Sequence, residues 1–514
     1  MSQPRKNLKW QCEIFDPLQL KQTLPQGFTM DDGRHATTQV WIYDSFDRIF
    51  SRNGLALIRI AGRFNLVNAE DLYTDTISSD ELVRHHRQVF EWDFEDGDFR
   101  KVLRSHLKYR AATQLALTQL EIREFCVRNS DGKIVLRLLS ETAKIDDVEA
   151  VTSITAAPLL GYEDEATAIA KKLTQAPEFI VPHISFAQRL LELAGQAEVP
   201  LSPKDMIRLS PQQSVQSAVT QIASGMVQVA RQNEAGIIDD IDSEYLHDYR
   251  VALRKLRSVI TLVKGAYGKE DTKQLKDVFG QLARATNRLR DLDVYLLNES
   301  VYREEIPACL RSGLDRLFKD FRLERRRVIR QIQQHFQSQA YLKLIAEQQA
   351  WLGGAEQSTG TRSTLPIEAV ASKEILKHYK LVRKEGMAIT PETPDEAVHE
   401  LRIECKKLRY LLELFASLYQ PDDLKAILKR LRGLQNVLGN FNDYSVQTES
   451  MLVYLNTAKN LEKQSAAAVG GLIAVLNDRQ LQARSHVTER FLEFSDGKMS
   501  EHFKRLFTTE KERK

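Results

Sequence analysis

The chain has 514 residues, of which 42% are hydrophobic and 28% charged, a composition typical of globular proteins. This length predicts more than one domain. No run of 18 apolar residues is present, which excludes a transmembrane helix, and the N-terminus lacks the apolar segment of a signal peptide. The four cysteines are far apart in sequence, which excludes a disulfide framework or a Cys-x-x-Cys metal site and favours a reducing cytoplasmic location.

The net charge of +3 hides an asymmetry between the two parts of the chain. Residues 1–200 hold 24 lysines and arginines against 29 aspartates and glutamates, and residues 201–514 hold 49 against 41. This excess is too small for a protein that coats nucleic acid nonspecifically. Any function that depends on cations must therefore be concentrated in a local site.

Residues 1–200 show short strand patterns and two helical ones. We expect strands over 38–43, 55–60, 89–94, 117–125 and 133–139, and helices over 163–173 and 185–193. The sequence Asn129-Ser-Asp-Gly132 between the last two strands is a typical hairpin turn. These patterns predict an α+β domain with an antiparallel sheet.

Residues 201–514 have a helical pattern almost throughout, after a linker that contains Pro200, Pro203 and Pro211. We expect helices over 212–233, 273–298 and 305–336. The segment 351–366 is rich in Gly, Ser and Thr, and we expect it to be a mobile loop. It separates two parts of about 205–350 and 367–510.

A motif occurs once in each of these two parts. His247 and His399 are 152 residues apart, and each is followed by cations at +3, +7, +8 and +10. The same offset relates Arg290-Asp291 to Asn442-Asp443, and no gap is needed over about 45 residues. This period is too long for a solenoid and predicts two helical bundles of similar fold.

On an α-helix, positions 0, +3, +7 and +10 lie at roughly 0°, 300°, 340° and 280°, so the histidine and three cations share one stripe. The apolar residues that follow lie on a separate face, which we expect to face the core: Leu253, Leu256, Ile260 and Val263, and Leu401, Leu408, Leu412 and Phe415. Because like charges repel, such a stripe favours a polyanionic ligand. Arginine suits phosphate oxygens, since its planar fork binds two of them.

Other interpretations of these residues have less support. A charge run is commonly a solvated helix face, but the registered repeat favours function. The two histidines could contact an anion or simply pack, and the spacing His-x-x-Arg does not favour a metal site. The His85-His86 pair is weak support for any site. Asp291 and Asp443 could hold the arginines in place or cap helices. Nucleic-acid binding is disfavoured because few aromatic residues are interleaved with the cations.

At these motifs the sequence resembles the CHAD family, the conserved histidine α-helical domain. The resemblance covers about 205–510 and is carried by His247-x-x-Arg250-Val-x-x-Arg254-Lys255-Leu-Arg257 and His399-x-Leu-Arg402-Ile-x-x-Lys406-Lys407-Leu-Arg409-Tyr410. It implies two pseudo-symmetric four-helix bundles around a basic pore, binding of inorganic polyphosphate, and association with polyphosphate granules.

Residues 38–175 resemble a CYTH domain, the fold of class IV adenylyl cyclases and triphosphatases, through Tyr43-Asp44-Ser-Phe-Asp47-Arg48 and Gly54-Leu-Ala-Leu-Ile-Arg59. Those enzymes carry a Glu-x-Glu-x-Lys motif, whereas the corresponding strand here has only Glu13 as an acid. We therefore expect a degenerate, inactive domain over 1–200 that could still bind a ligand through Arg59, Arg123 and Arg137.

Together with the cationic stripes, the CHAD resemblance thus implies a polyphosphate-binding protein, which we expect to have no enzymatic activity, metal or other cofactor and to be located in the cytoplasm or on granules. The alternative is a metal-dependent triphosphatase or nucleotidyl cyclase in the N-terminal domain. Polymer length and oligomeric state are left open. The expected polyphosphate-binding residues are His247, Arg250, Arg254, Lys255, Arg257, Arg290, His399, Arg402, Lys406, Lys407 and Arg409.

Overall fold

The computed structural model describes residues 8–73, 76–82, 87–145, 148–196, 207–354 and 357–508. It divides into two compact units, Met1–Pro200 and Leu201–Lys514. The His85-His86 pair and most of the proline-containing linker lie outside the described residues. Within the described ranges, no helix is long and apolar enough to cross a membrane.

The N-terminal unit is built on an antiparallel sheet, as predicted. Its strand order is β1-β9-β8-β7-β2-β3-β4-β5, and the short β6 pairs with β7. The strands are β1 (Leu8–Cys12), β2 (Thr29–Asp44), β3 (Leu55–Ile60), β4 (Arg63–Asn68), β5 (Thr76–Glu81), β6 (Gln88–Val89), β7 (Ala112–Arg128), β8 (Ile134–Ile145) and β9 (Val148–Pro158).

The helices of this unit flank the sheet and bury apolar side chains against it. They are α1 (Pro17–Thr23), α2 (Ile49–Arg52), α3 (Asp98–Leu107), α4 (Glu163–Gln175) and α5 (Phe186–Leu193). The two predicted helices correspond to α4 and α5. The predicted hairpin is present between β7 and β8, where Asn129 Oδ1 accepts from the backbone N–H of Asp131 and Lys133, both at 3.1 Å.

The strand expected over 89–94 was wrong. Strand β6 ends at Val89, and a 3₁₀ helix follows over Glu91–Asp93. The side chain of Glu91 is buried because it accepts from Arg100 Nε at 2.7 Å and from Arg104 Nε at 3.1 Å. This ion-pair network turns the chain where alternation alone predicted an extended strand.

The C-terminal unit is all helical in its described residues, apart from isolated bridges in its loops. The first half contains α6 (Val215–Ile238), α7 (Ser243–Leu262), α8 (Lys269–Ala285), α9 (Asn287–Leu297), α10 (Glu299–Glu305), α11 (Asp315–Gln337) and α12 (Gln339–Gly353). The second half contains α13 (Ile367–Met387), α14 (Asp395–Leu414), α15 (Pro421–Thr457), α16 (Lys463–Ser485), α17 (Val487–Phe494) and α18 (Gly497–Phe507).

The repeat extends well beyond the motifs. Helices α6, α7 and α8 begin 152 residues before α13, α14 and α15, respectively, and α10 ends 152 residues before the end of α15. Three consecutive helices of the first half thus correspond to one continuous helix of the second. From α11 onward the offset is 148, which relates α11 to α16 and the start of α12 to that of α17.

Packing follows the same repeat in both halves. Helix α6 packs on α7, α7 on α8, and α9 on α11, and the same order holds for α13, α14, α15 and α16. The halves also share one buried core. The first half contributes Leu292, Phe318 and Phe321, and the second half contributes Met451 and Leu472. The expectation of two similar bundles is therefore confirmed.

Three predicted boundaries differ from the structure. The helix expected over 273–298 is interrupted at Thr286, between α8 and α9. The helix expected over 305–336 begins only at Asp315, because Pro307 follows an extended residue and opens a 3₁₀ segment instead. The loop expected over 351–366 begins after Gly353, and its described part is fixed by hydrogen bonds such as Arg362 N to Gly265 O at 2.9 Å.

Candidate anion-binding site

The two motifs lie on α7 and α14. The apolar residues predicted to face the core are buried in both helices, with exposures of 2% or less. The cationic side chains project from other faces of these helices and are at most partly exposed. The core residues thus fix the orientation of each helix and, with it, the direction of each cationic stripe.

Helices α7 and α14 pack directly against each other, which brings the two stripes together. Arg254 of the first stripe lies close enough to Arg402 and Lys406 of the second to lower the pKa of both side chains. Residues 148 and 152 positions apart in sequence therefore form one cluster of positive charge where the halves pack together.

Burial and mutual repulsion both disfavour the charged forms of this cluster. The pKa of Lys406 falls to about 8, first through burial and then through the charges of Arg402 and Arg254. Burial, followed by the charge of Arg254, lowers the pKa of Arg250 to about 10. The pKa of Arg402 is lowered mainly by burial, and the nearby Asp443 opposes that shift.

Four arginines of the stripes have incomplete hydrogen bonding. The Nε atoms of Arg254, Arg257, Arg402 and Arg409 are buried and have no hydrogen-bond partner among the described residues. An unsatisfied buried donor costs about 1–3 kcal/mol. The cluster therefore offers donors that an anion with several oxygen atoms could help to satisfy.

In the second half, a short chain of polar contacts supports the stripe. His399 Nδ1 donates to Asn442 Oδ1 at 2.8 Å, and Asn442 Nδ2 donates to Asp443 Oδ1 at 3.3 Å. Arg402 Nη2 lies 3.5 Å from the same carboxylate oxygen. Asp443 is in the middle of α15, so of the two roles considered for it, the structure favours holding an arginine over capping a helix.

In the first half, the corresponding arginine is held differently. Arg250 Nη1 donates to the carbonyl of Ala283 and to the hydroxyl of Thr286, both at 2.8 Å. These acceptors lie at the interruption between α8 and α9, where helix-end carbonyls lack partners within the helix. Arg290 contacts Glu244 at 3.5 Å near the start of α7, and His247 is half-buried one turn before Arg250.

The two lysines at position +8 contact carboxylates rather than the cationic cluster. Lys407 pairs with Glu404 on its own helix. Lys255 Nζ lies 3.3 Å from Glu413 Oε2, which joins the first half to the second. Glu413 Oε1 is also 3.8 Å from Arg409 Nε.

Sequence patterns did not identify Glu413 or the buried pair of His378 and Glu404. Glu413 lies four residues after Arg409, a spacing that predicts a contact along one helix. Its contact with Lys255, on another helix, could not be predicted from the spacing. His378 Nδ1 is 2.7 Å from Glu404 Oε2, and these residues are on different helices.

In the N-terminal unit, the three arginines proposed from the CYTH resemblance do not form one site. The strand register places Arg59 and Arg123 on one face of the sheet and Arg137 on the other. Glu13 is exposed just after β1 ends. Across the residues that the structure describes, no three or more His, Cys, Asp or Glu side chains are grouped to hold a metal ion.

The fold and the site together define a two-bundle helical protein with paired cationic helices. Residues 221–452, which include both motifs and both aspartates, match the family model of the CHAD domain. The chain therefore contains a CHAD domain over these residues.

Two uncharacterized proteins of Mycobacterium tuberculosis, from strains CDC 1551 / Oshkosh and ATCC 25618 / H37Rv, are each 24% identical over 298 residues. The match covers 56% of this chain and 54% of each relative, so the chain spans about half the length of these relatives.

Two solved structures are also similar. The crystal structure of the CHAD domain from the plant Ricinus communis has 22% identity and a TM-score of 0.47, covering 56% of this chain and 94% of that one. PptA from Streptomyces chartreusis has 16% identity and a TM-score of 0.41, covering 55% and 99%.

Replacing Lys406 with Met is expected to raise the thermal midpoint at pH 7. The folded-state pKa, about 8, lies below the unfolded value near 10.5, so folding disfavours the charged lysine. Stability of the wild-type protein should accordingly rise between pH 8 and 10.5, and Lys406→Met should reduce that rise. Thermal unfolding followed by circular dichroism at pH 7, 8.5 and 10 measures both effects.

The adjacent Lys407→Met variant is the matched control, because Lys407 pairs with Glu404. It should lower the midpoint at pH 7. If Lys406→Met is destabilised as much as this control, the charge of Lys406 does not destabilise the folded state, and the prediction is wrong.

Proposed function

We propose that the helical unit binds inorganic polyphosphate along the two cationic stripes of α7 and α14. The observation that carries this proposal is the packing of α7 on α14, which brings the charge of Arg254 near Arg402 and Lys406. Such a cluster is unfavourable alone and becomes favourable when a chain of phosphates supplies negative charge along it.

Arg250, Arg254, Arg257, Arg402, Lys406 and Arg409 form the core of the proposed site. The unsatisfied Nε donors among them support a ligand with many oxygen atoms. His399 is exposed, and its Nδ1 donates to Asn442 Oδ1, so its Nε2 can donate to a phosphate only in the protonated form of the ring. Lys255, Lys407 and Arg290 are already paired with carboxylates and are secondary contributors.

We also propose that the protein acts by binding its ligand and that its N-terminal unit has no catalytic activity. The exposed position of Glu13 and the separation of Arg137 from Arg59 and Arg123 support this view. The proposed location is the cytoplasm, on granules of the polymer.

The double variant Arg254→Ala/Lys406→Ala should bind long-chain polyphosphate at least about tenfold more weakly than the wild type. The slope of log affinity against log salt should also fall by about 1–2, since fewer counterions are released. Titration calorimetry at several salt concentrations, with DNA of equal charge as a second ligand, measures affinity and selectivity.

The control is Arg326→Ala/Arg327→Ala, which removes the same charge from exposed positions on α11. It should retain affinity within about twofold. Equal affinity of the wild type for DNA and polyphosphate, or full binding by the Arg254→Ala/Lys406→Ala variant, would refute the proposed function.

Glu413→Gln should bind polyphosphate about two- to fivefold more tightly than the wild type. The carboxylate of Glu413 partly neutralises Lys255 and Arg409, so an uncharged isostere releases both for the polymer. Glu347→Gln on the exposed face of α12 changes the net charge equally and serves as the control. An equal gain in both variants would show a general charge effect and contradict the role of Glu413.

In cells that accumulate polyphosphate, a fluorescently tagged copy should collect on the granules, and a tagged Arg254→Ala/Lys406→Ala copy should remain diffuse. Fluorescence microscopy with a polyphosphate stain measures the overlap. Equal granule recruitment of both copies would contradict recruitment through the stripes.

A further inference from the structure

The N-terminal unit contains a cavity lined by its own residues. Its volume is about 450 Å³, within the range of small-molecule sites in proteins. It lies on one face of the sheet, because Glu124, Leu139 and Thr155 are cross-strand neighbours on β7, β8 and β9 and all line it.

The lining combines an apolar surface with two cations. Ile122 and Leu139 contribute aliphatic surface, and Tyr73 adds a half-exposed ring. Arg137 Nη1 donates to Glu124 Oε1 at 2.6 Å, which balances one of the two guanidinium charges. Arg34 has no hydrogen bond or ion pair with any residue that the structure describes, so its charge is available.

A β-bulge positions Arg34. The register of β2 against β7 shifts between Asp32 and His35, so Gly33 and Arg34 together lie opposite Glu124. A Cβ atom on Gly33 would be 2.9 Å from the carbonyl oxygen of Glu124, so only glycine allows this close approach. Bulges re-aim side chains near binding sites, and here the bulge brings Arg34 to the cavity.

The cavity also contains a buried polar group without a partner. Thr155 is 5% exposed, and its Oγ1 has no hydrogen-bond partner among the described residues. Buried hydroxyl groups are nearly always hydrogen-bonded in folded proteins. A ligand with a polar atom could supply the missing partner from inside the cavity.

We propose that this cavity binds a small organic anion that joins one anionic group to an apolar body. Arg34 binds the anionic group, and the apolar body packs on Ile122 and Leu139 beside Tyr73. Among the described residues, only one guanidinium without an ion-pair partner lines the cavity, so a single anionic group suits it better than a polyanion. This proposal does not depend on polyphosphate binding by the helical unit.

The test compares two probes on the full chain by fluorescence titration. Anilinonaphthalene sulfonate carries the anion on an apolar ring system, and phenylnaphthylamine is the same ring system without the sulfonate. The wild type should bind the sulfonate more tightly. Arg34→Gln should weaken sulfonate binding about tenfold, as expected for loss of a charged hydrogen bond, and leave phenylnaphthylamine within about twofold.

Two control variants locate the effect. Arg63→Gln removes an exposed arginine that pairs with Glu81 on the same sheet, and it should not change sulfonate binding. Arg254→Ala/Lys406→Ala should also leave it unchanged. The proposal is overturned if Arg63→Gln weakens the sulfonate as much as Arg34→Gln does, or if the helical variant abolishes its binding. Equal loss of both probes in Arg34→Gln, or no binding of the sulfonate by the wild type, also overturns it.

Discussion

Repulsion between like charges at the contact of α7 and α14 is the constraint on which the helical unit depends. Burial, and then the nearby charge of Arg254, disfavour the charged forms of Arg402 and Lys406. The apolar faces of both helices, together with the core that the halves share, hold this arrangement in place. The site therefore carries its charge and geometry before a ligand arrives, and such preorganisation lowers the ordering cost of binding.

The two halves repeat the cations and an aspartate near the first arginine of each stripe, Asp291 near Arg250 and Asp443 near Arg402, but their other supports differ. Arg250 is held by the carbonyl of Ala283 and the hydroxyl of Thr286, which are accessible because the helix is interrupted there. The equivalent Arg402 faces a continuous helix, which has no free carbonyl to offer, and Asp443 takes that role. Glu413 adds a further asymmetry, because Thr261 occupies the matching position of the first half.

The N-terminal unit handles charge in a different way. Its sheet carries Glu121 bound by Arg123 and Lys144, and these contacts hold the pKa of the carboxyl at about 2 despite its burial. On the opposite face, the bulge at Gly33 places Arg34 beside a largely apolar cavity, where it has no ion-pair partner among the described residues. Alternation along the strands thus separates a neutralised ionic cluster from a candidate ligand site.

The sequence by itself determined the helical repeat, the core faces of α7 and α14, the antiparallel sheet and the β7–β8 hairpin. These features follow from the spacing of apolar residues and from the residues in the turns, both of which are local properties of the sequence. Only the tertiary structure decided that Arg254 lies near Arg402 and Lys406, that Lys255 pairs with Glu413, and that the strand ends at Val89. Each of these depends on partners distant along the chain or in other elements. Side-chain alternation along β8 is local. Whether Arg137 and Arg59 lie on the same face of the sheet depends on the strand register, which only the assembled sheet fixes.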